Sequence, residues 1–429
     1  MPTRAADAPE IRTVGSPTIG AMALPIAQRA IRIPPFEVME IVRAAAQRES
    51  AAGPADAASV GRGRTVCHLE VGQPSTGAPT AVRDAAHAAL DRTLGYTDSQ
   101  GIPELRQAIA DWYGATHAIE IDRERIVVTT GASAGCVLTF VTCFDPGDRV
   151  GVVEPGYPCY RHMLDALGID VVGIHVGPSS RYQPTPEMLD RITADVGALA
   201  GLVVASPSNP TGAMLTPSEL GAITQWCDSR GTRLIADEIY HHITDGRAAP
   251  TAAKVPDAVV IQSFSKYFCM TGWRLGWLVL PLDLVDPLDR VAQNLYLSPP
   301  TLSQLAALGA FGATAELEPN VTRYDQNRRE LVEMLRRVGT IETAPAEGAF
   351  YVWADVRHYG TSRELCRRWL DEIGVAATPG WDFDPVDGGH FVRFSIAGSV
   401  DEVAEAARRL EHWFTDVHQP QPERAPRAR

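Results

Sequence analysis

Lysine is nearly missing from this chain. Of its 429 residues 39 are lysine or arginine, and only Lys254 and Lys266 are lysine. Arginine stays protonated at any working pH, whereas a desolvated lysine can lose its proton and attack a carbonyl. A retained lysine is therefore a candidate for chemistry, with chance retention on a surface as the alternative. Excess positive charge is missing too: the formal net charge is −13, which argues against a surface for nucleic acid or anionic membrane. No apolar run approaches the roughly 20 residues that a membrane-crossing helix needs. The opening MPTRAADAPEIRTVG lacks the apolar centre of a secretion signal. Cysteine pairing motifs are absent as well. Cys67, Cys136, Cys143, Cys159, Cys227, Cys269 and Cys366 are scattered with no Cys-x-x-Cys spacing, and an odd count in a long chain predicts reduced thiols in a cytoplasm.

What is present reads as a globular protein, with 45% hydrophobic and 21% charged residues. The length allows two domains of roughly 100–200 residues each. Seven β-branched, nearly continuous apolar runs occupy 125–130, 149–154, 171–176, 201–206, 232–237, 259–264 and 275–280, as expected of strands buried on both faces. Helical segments alternate with them. Thr216 supplies a cap, Pro217 a first helical residue and Glu219 a capping box, and Gly231 follows the end. Such alternation predicts an α/β domain with a mostly parallel central sheet of about seven strands. Beyond residue 300, helices near 301–337, 361–373 and 400–414, with short strands near 349–353 and 390–395, predict a smaller α+β domain. An amphipathic helix lies within 20–50, and the stretch around 51–63 reads as a loop.

In an open parallel sheet, ligands bind beyond the carboxyl ends of the strands. Just past the predicted strands stand Gly131-Ala132-Ser133, Tyr157, Pro207-Ser208-Asn209-Pro210-Thr211-Gly212, Asp237 with Tyr240, and Ser265 with Lys266. Taken singly, each has a plainer explanation: a turn, a helix cap or a packing residue. Together they place small, aromatic, amide, acid and amine groups on one rim.

At these residues the chain resembles a fold type I pyridoxal-phosphate enzyme, of the aspartate-aminotransferase-like class I/II aminotransferases. The likeness covers roughly 25–415. It rests on PSNPTG (207–212), ADEIY (236–240), SFSK (263–266) with Arg274 eight residues on, YTDSQGIPELR (96–106), EGAFYVW (347–353) and the VRFS around Arg393. The resemblance implies a large cofactor-binding domain over 71–304. Residues 25–70 and 305–416 would form the small domain, and 1–24 and 417–429 would be flexible ends.

The resemblance also implies roles. Lys266 would hold pyridoxal 5'-phosphate as a Schiff base and, once released, serve as the base. Asp237 would keep the ring nitrogen protonated, Asn209 and Tyr240 would favour the ring's phenolate, and Tyr157 would stack on its face. The phosphate would take Ala132, Ser133, Ser263, Ser265, Arg274 and, from a second copy of the chain in a homodimer, Tyr96. Arg393 and Gly72 would hold the substrate α-carboxylate, beside Asn209. The implied reaction moves the amino group of an L-amino acid to a 2-oxo acid, with a lyase or cyclising reaction as the alternative and no metal. The loop after Gly72 departs from the family's usual residues, as does GASAG (131–135). The segment 291–304, with Asn294, Tyr296 and nearby Arg290, points to a neutral or aromatic substrate.

Overall fold

The computed structural model describes residues 25–52 and 66–417. The flexible ends expected at 1–24 and 417–429 (Val417 apart), and most of the loop expected at 51–63, lie outside the described residues. All seven expected strands of the large sheet form. They are β1 (Ile126–Thr129), β2 (Arg149–Glu154), β3 (Asp170–His175), β4 (Gly201–Ala205), β5 (Arg233–Asp237), β6 (Val259–Ser263) and β7 (Gly276–Val279). Their spatial order is β1-β7-β6-β5-β4-β2-β3. Only β7 runs antiparallel to its neighbours, β1 and β6; every other pair is parallel.

Period-2 geometry explains why these strands read as continuous apolar runs. Val128, Val204, Ala236, Val260 and Trp277 enter one core, with Leu105, Tyr113 and Phe264. Val127, Val203, Ile235, Ile261 and Leu278 enter another on the opposite face, with Leu138, Leu164 and Leu288. With helices on both faces, neither side of a strand has a reason to be polar.

Between β6 and β7 the chain reverses within a short loop, and two non-glycine residues there are left-handed, Cys269 (φ 55°) and Arg274 (φ 54°). A left-handed residue with a Cβ costs roughly 1–2 kcal/mol, so the surrounding structure must hold it; Arg274 Nη1 donates to the Thr271 carbonyl at 2.9 Å. The helix predicted from Thr216 carries its full capping box and Pro217, and Gly231 closes it in the left-handed region at φ 65°.

The C-terminal part forms a second, antiparallel sheet. It contains β8 (Tyr351–Asp355), β9 (Thr378–Pro379) and β10 (Phe391–Ser395), in the order β9-β10-β8. The long helix expected over 301–337 is two helices, Thr301–Ala307 and Thr314–Val338. At the break the backbone runs against the N-terminal helix Thr80–Leu90, and a Cβ on Gly309 would lie 2.5 Å from the Ala81 carbonyl oxygen. A two-residue parallel pair joins Cys67–His68 to Val375–Ala376, so the segment that precedes the large sheet is tied to the C-terminal part. Strand β9 and this pair are too short to leave a periodic signal in the sequence.

Candidate active site

The carboxyl ends of β1, β2, β4, β5 and β6 open onto one cavity of about 260 Å³. The residues expected to bind cofactor or substrate line it, except Tyr96; Arg290, Asn294 and Tyr296, expected to bear on substrate choice, do not line it either. Tyr96 is 85% exposed and stands apart from the cavity of its own chain. Lys254, the other lysine, is on the surface.

Lys266 follows the end of β6 and donates from Nζ to the Gly72 carbonyl at 2.7 Å. Burial brings its amine down to about 8 from the usual 10.5, helped by the Arg393 and Arg274 guanidiniums and opposed by Asp237. A fraction of the amine is therefore neutral near pH 7, which a nucleophile or base requires.

Asp237 ends β5 and is buried. Its Oδ1 accepts the Ile239 N–H at 3.1 Å, and its Oδ2 accepts the Tyr160 hydroxyl. Burial pushes its carboxyl up to about 6, against the pull of those two donors and of Lys266. Three residues on, the Tyr240 hydroxyl meets that of Tyr351 at 2.8 Å. Burial holds the Tyr240 phenol well above its ordinary range.

The far wall comes from the second sheet. Arg393, on β10, is buried. Nη1 donates to Asn209 Oδ1 at 3.1 Å, and Nη2 to the Glu70 carbonyl at 2.6 Å and to Thr378 Oγ1 at 3.4 Å. Its Cζ lies 4.4 Å from the ring centre of Tyr351 and 4.6 Å from that of Phe383. These acceptors are all neutral, and Nε has no partner among the described residues. A buried guanidinium with an idle N–H and no carboxylate against it is a site for a ligand carboxylate.

At the opposite end Gly131 (φ +92°) leads into the helix Ala132–Cys143. A Cβ there would lie 2.5 Å from Arg274 Nη2, so glycine lets the guanidinium reach the helix start. The first N–H groups of a helix have no intrahelical partner and attract anions. Ser263 Oγ takes the Ser265 N–H at 3.0 Å, which sets the turn carrying Lys266. One end of the cavity thus suits a phosphate and the other a carboxylate, with an amine and a buried acid between them. These residues fit pyridoxal phosphate.

Sequence reasoning did not single out Tyr160, Tyr351 or the wall of Phe36, Val38 and Met39 that edges the cavity. Tyr160 has a helical spacing of three from Tyr157, and their rings meet edge to face at 5.4 Å. Tyr351 lies inside EGAFYVW and was readable only as part of that motif. The Phe36–Met39 wall carries no local signal, because the start of the helix Glu37–Ala52 is brought to the cavity by tertiary packing.

Comparison with known proteins identifies the family. The family profile described as aminotransferase class I and II matches residues 64–410. The valine–pyruvate aminotransferase of Mycobacterium tuberculosis is 47% identical, over 89% of this chain and 97% of its own. A crystal structure of an aminotransferase from the same organism, also 47% identical, superimposes with a TM-score of 0.85 over 91% of this chain and 99% of that one. Aspartate aminotransferase from Thermus thermophilus with maleate is 28% identical, with a TM-score of 0.83 over 91% and 100%. The chain belongs to the class I and II aminotransferases, enzymes that transfer an amino group between an amino acid and a 2-oxo acid.

Proposed function

We propose that the chain is a pyridoxal-phosphate-dependent aminotransferase for neutral amino acids, with valine and pyruvate as the model pair. The observation that carries the reading is the convergence of Lys266, Asp237 and Arg393 on one cavity. Bound pyridoxal phosphate supplies a carbonyl that exchanges with amines and a ring that accepts electrons from the substrate's α-carbon. Lys266 would hold it, and its amine, when free, would take the proton from that α-carbon. Asp237 would serve the ring nitrogen, Asn209 and Tyr240 the phenolic oxygen and Tyr157 the ring. Arg274, Ser133, Ser263, Ser265 and the N–H groups of Ala132 and Ser133 would take the phosphate. Arg393 would grip the α-carboxylate through its idle Nε, beside Gly72.

The substrate class follows from the wall left for a side chain. Phe36, Val38, Met39, Val71 and Ile239 are apolar, and the two arginines lining the cavity are assigned to phosphate and α-carboxylate. Among the described residues the wall offers a dicarboxylate no second guanidinium, and the 47% identical relative bears the name of a valine–pyruvate enzyme. The seven cysteines are unpaired and mostly buried, which supports a reducing compartment such as the cytoplasm.

We assign the exposed Tyr96 to the partner's phosphate in a two-fold homodimer. Mixing Lys266→Ala and Tyr96→Ala chains should then restore one intact site per hybrid dimer; no recovery would place Tyr96 within its own subunit. The experiment for the whole reading is a half-reaction. Valine or alanine added alone should convert the loaded enzyme's absorbance to that of the amine form, at least ten times faster than aspartate. Borohydride should fix the cofactor to Lys266. No conversion by any amino acid, or label on Lys254, would overturn it.

A further inference from the structure

We infer that Tyr160 is a positioning residue for the reaction: its phenol holds Asp237 as an oriented carboxylate, so that a negative charge faces the cofactor's ring nitrogen. The inference rests on the assignment of Asp237 to that nitrogen. Tyr160 lies on the helix Pro158–Leu167, which follows β2, and reaches across to the end of β5. Its ring is buried, and its hydroxyl donates to Asp237 Oδ2. Oδ1 is held separately by the Ile239 N–H at 3.1 Å. One oxygen is thus fixed by a neighbouring helix and the other by the chain's own turn. The carboxylate cannot rotate without breaking both bonds, and its unused lone pairs remain for a donor arriving through the cavity that Asp237 lines.

Four titratable side chains surround this carboxyl. Cys136, on the helix Ala132–Cys143, and Tyr160 itself are buried and pushed well above their ordinary values, so both stay protonated. Glu238, next in the chain, is raised to about 8 by burial. It is engaged elsewhere, by the Thr251 hydroxyl at 2.8 Å and the Ala252 N–H at 2.6 Å. Lys266 is the cation of the group, and holding the cofactor would take up its amine. What then opposes the burial that raises Asp237 is the pair of donors, Tyr160 and Ile239 N–H. A phenol that never ionises in the working range is no acid or base catalyst; it is a fixed donor. One hydrogen bond to a charged group is worth about one to two pKa units. Without it Asp237 would be substantially protonated at neutral pH, and a neutral acid cannot stabilise a protonated ring nitrogen.

Tyr160→Phe removes the hydroxyl and keeps the ring. Binding of pyridoxal phosphate to the cofactor-free protein, followed by fluorescence quenching from pH 5 to 9, reads the effect without turnover. The acid-side midpoint of affinity should move up by about one to two units, and the acid limb of kcat with it. Affinity at pH 9 should stay within a few fold of wild type. A loss equal at every pH with an unmoved midpoint is what a purely structural residue would give, and it overturns the inference. Tyr160→His keeps a ring with an N–H donor and should retain the wild-type midpoint; a shift like that of Tyr160→Phe would also overturn it. Asp237→Asn separates the two claims. If that variant binds and turns over normally, the assignment of Asp237 fails. If it is crippled while Tyr160→Phe has the wild-type midpoint, only the inference about Tyr160 fails.

Discussion

The amine of Lys266 should make the cofactor-free protein less stable than it could be, and replacing Lys266 with methionine exposes the cost. Folding lowers the amine from 10.5 to about 8, chiefly by burial. At 1.36 kcal/mol per unit, a lysine so shifted costs at most about 3 kcal/mol wherever both states are protonated. Methionine is unbranched, one atom shorter than lysine, and carries no charge to desolvate. It forfeits the 2.7 Å bond to the Gly72 carbonyl, worth about 1 kcal/mol, and partial solvent access to Lys266 reduces the gain further. The net expectation is that cofactor-free Lys266→Met is more stable than wild type by about 1–2 kcal/mol at pH 7. The pH dependence gives the sign. Below pH 8 the unfolded and folded amines are both charged and the penalty is complete. As pH rises from 8 towards 10.5 the folded amine is neutral while the unfolded one still binds a proton, so wild type gains stability and the gap closes. Urea unfolding of both proteins without cofactor, from pH 7 to 10, measures this. A variant less stable at pH 7, or a difference that does not change with pH, would refute the reasoning.

Three further outcomes follow from the geometry. Arg393→Leu should weaken all α-carboxylate substrates together, by 100-fold or more in kcat/KM, the scale of losing one partner of a buried charged pair; an effect confined to one side-chain class would place Arg393 in the specificity wall. In Gly72→Ala the new Cβ would sit 1.7 Å from the Tyr351 hydroxyl oxygen, displacing it from Tyr240. We expect kcat to fall at least tenfold with little change in thermal midpoint, measured by steady-state kinetics and circular dichroism. Behind the Asp237–Tyr240 turn, His117 and His242 are held down to about 4 by burial and His241 lies well below its usual value. The unfolded chain protonates these rings first, so stability present at neutral pH is lost as pH falls from 6.5 towards 4. Raised carboxyls such as Asp237 and Glu238 act in the opposite sense, so the histidine share is read as a difference: between pH 7 and pH 5 wild type should lose about 1–2 kcal/mol more than His242→Phe, by urea unfolding of both.

The chain's own residues determined most of the architecture before any coordinates. Seven apolar runs specified strands buried on both faces, because nothing polar could be tolerated on either side of a sheet covered by helices. Thr216, Pro217, Glu219 and Gly231 marked a helix at both ends through local chemistry alone. The rarity of lysine, joined with the amide, acid and aromatic groups that follow the strands, put Lys266, Asp237, Asn209 and Tyr240 on one rim. One local signal was passed over. The stretch from Thr301 reads as one long helix, yet the chain parts between Ala307 and Thr314, around Gly309 and Gly312, where the backbone at Gly309 runs close to the helix Thr80–Leu90. Only the tertiary structure could decide contacts between segments far apart in the chain. Tyr160 reaches Asp237 across 77 positions and Arg393 reaches Asn209 across 184. The apolar wall from Phe36 to Met39 closes a cavity built mainly from residues a hundred or more positions later. Periodicity and capping act over a few residues and so are written locally. The orientation of a carboxylate, the idle Nε of a buried guanidinium and the lowered pKa of an amine depend on what packs around them, and that is fixed only when the whole chain has folded.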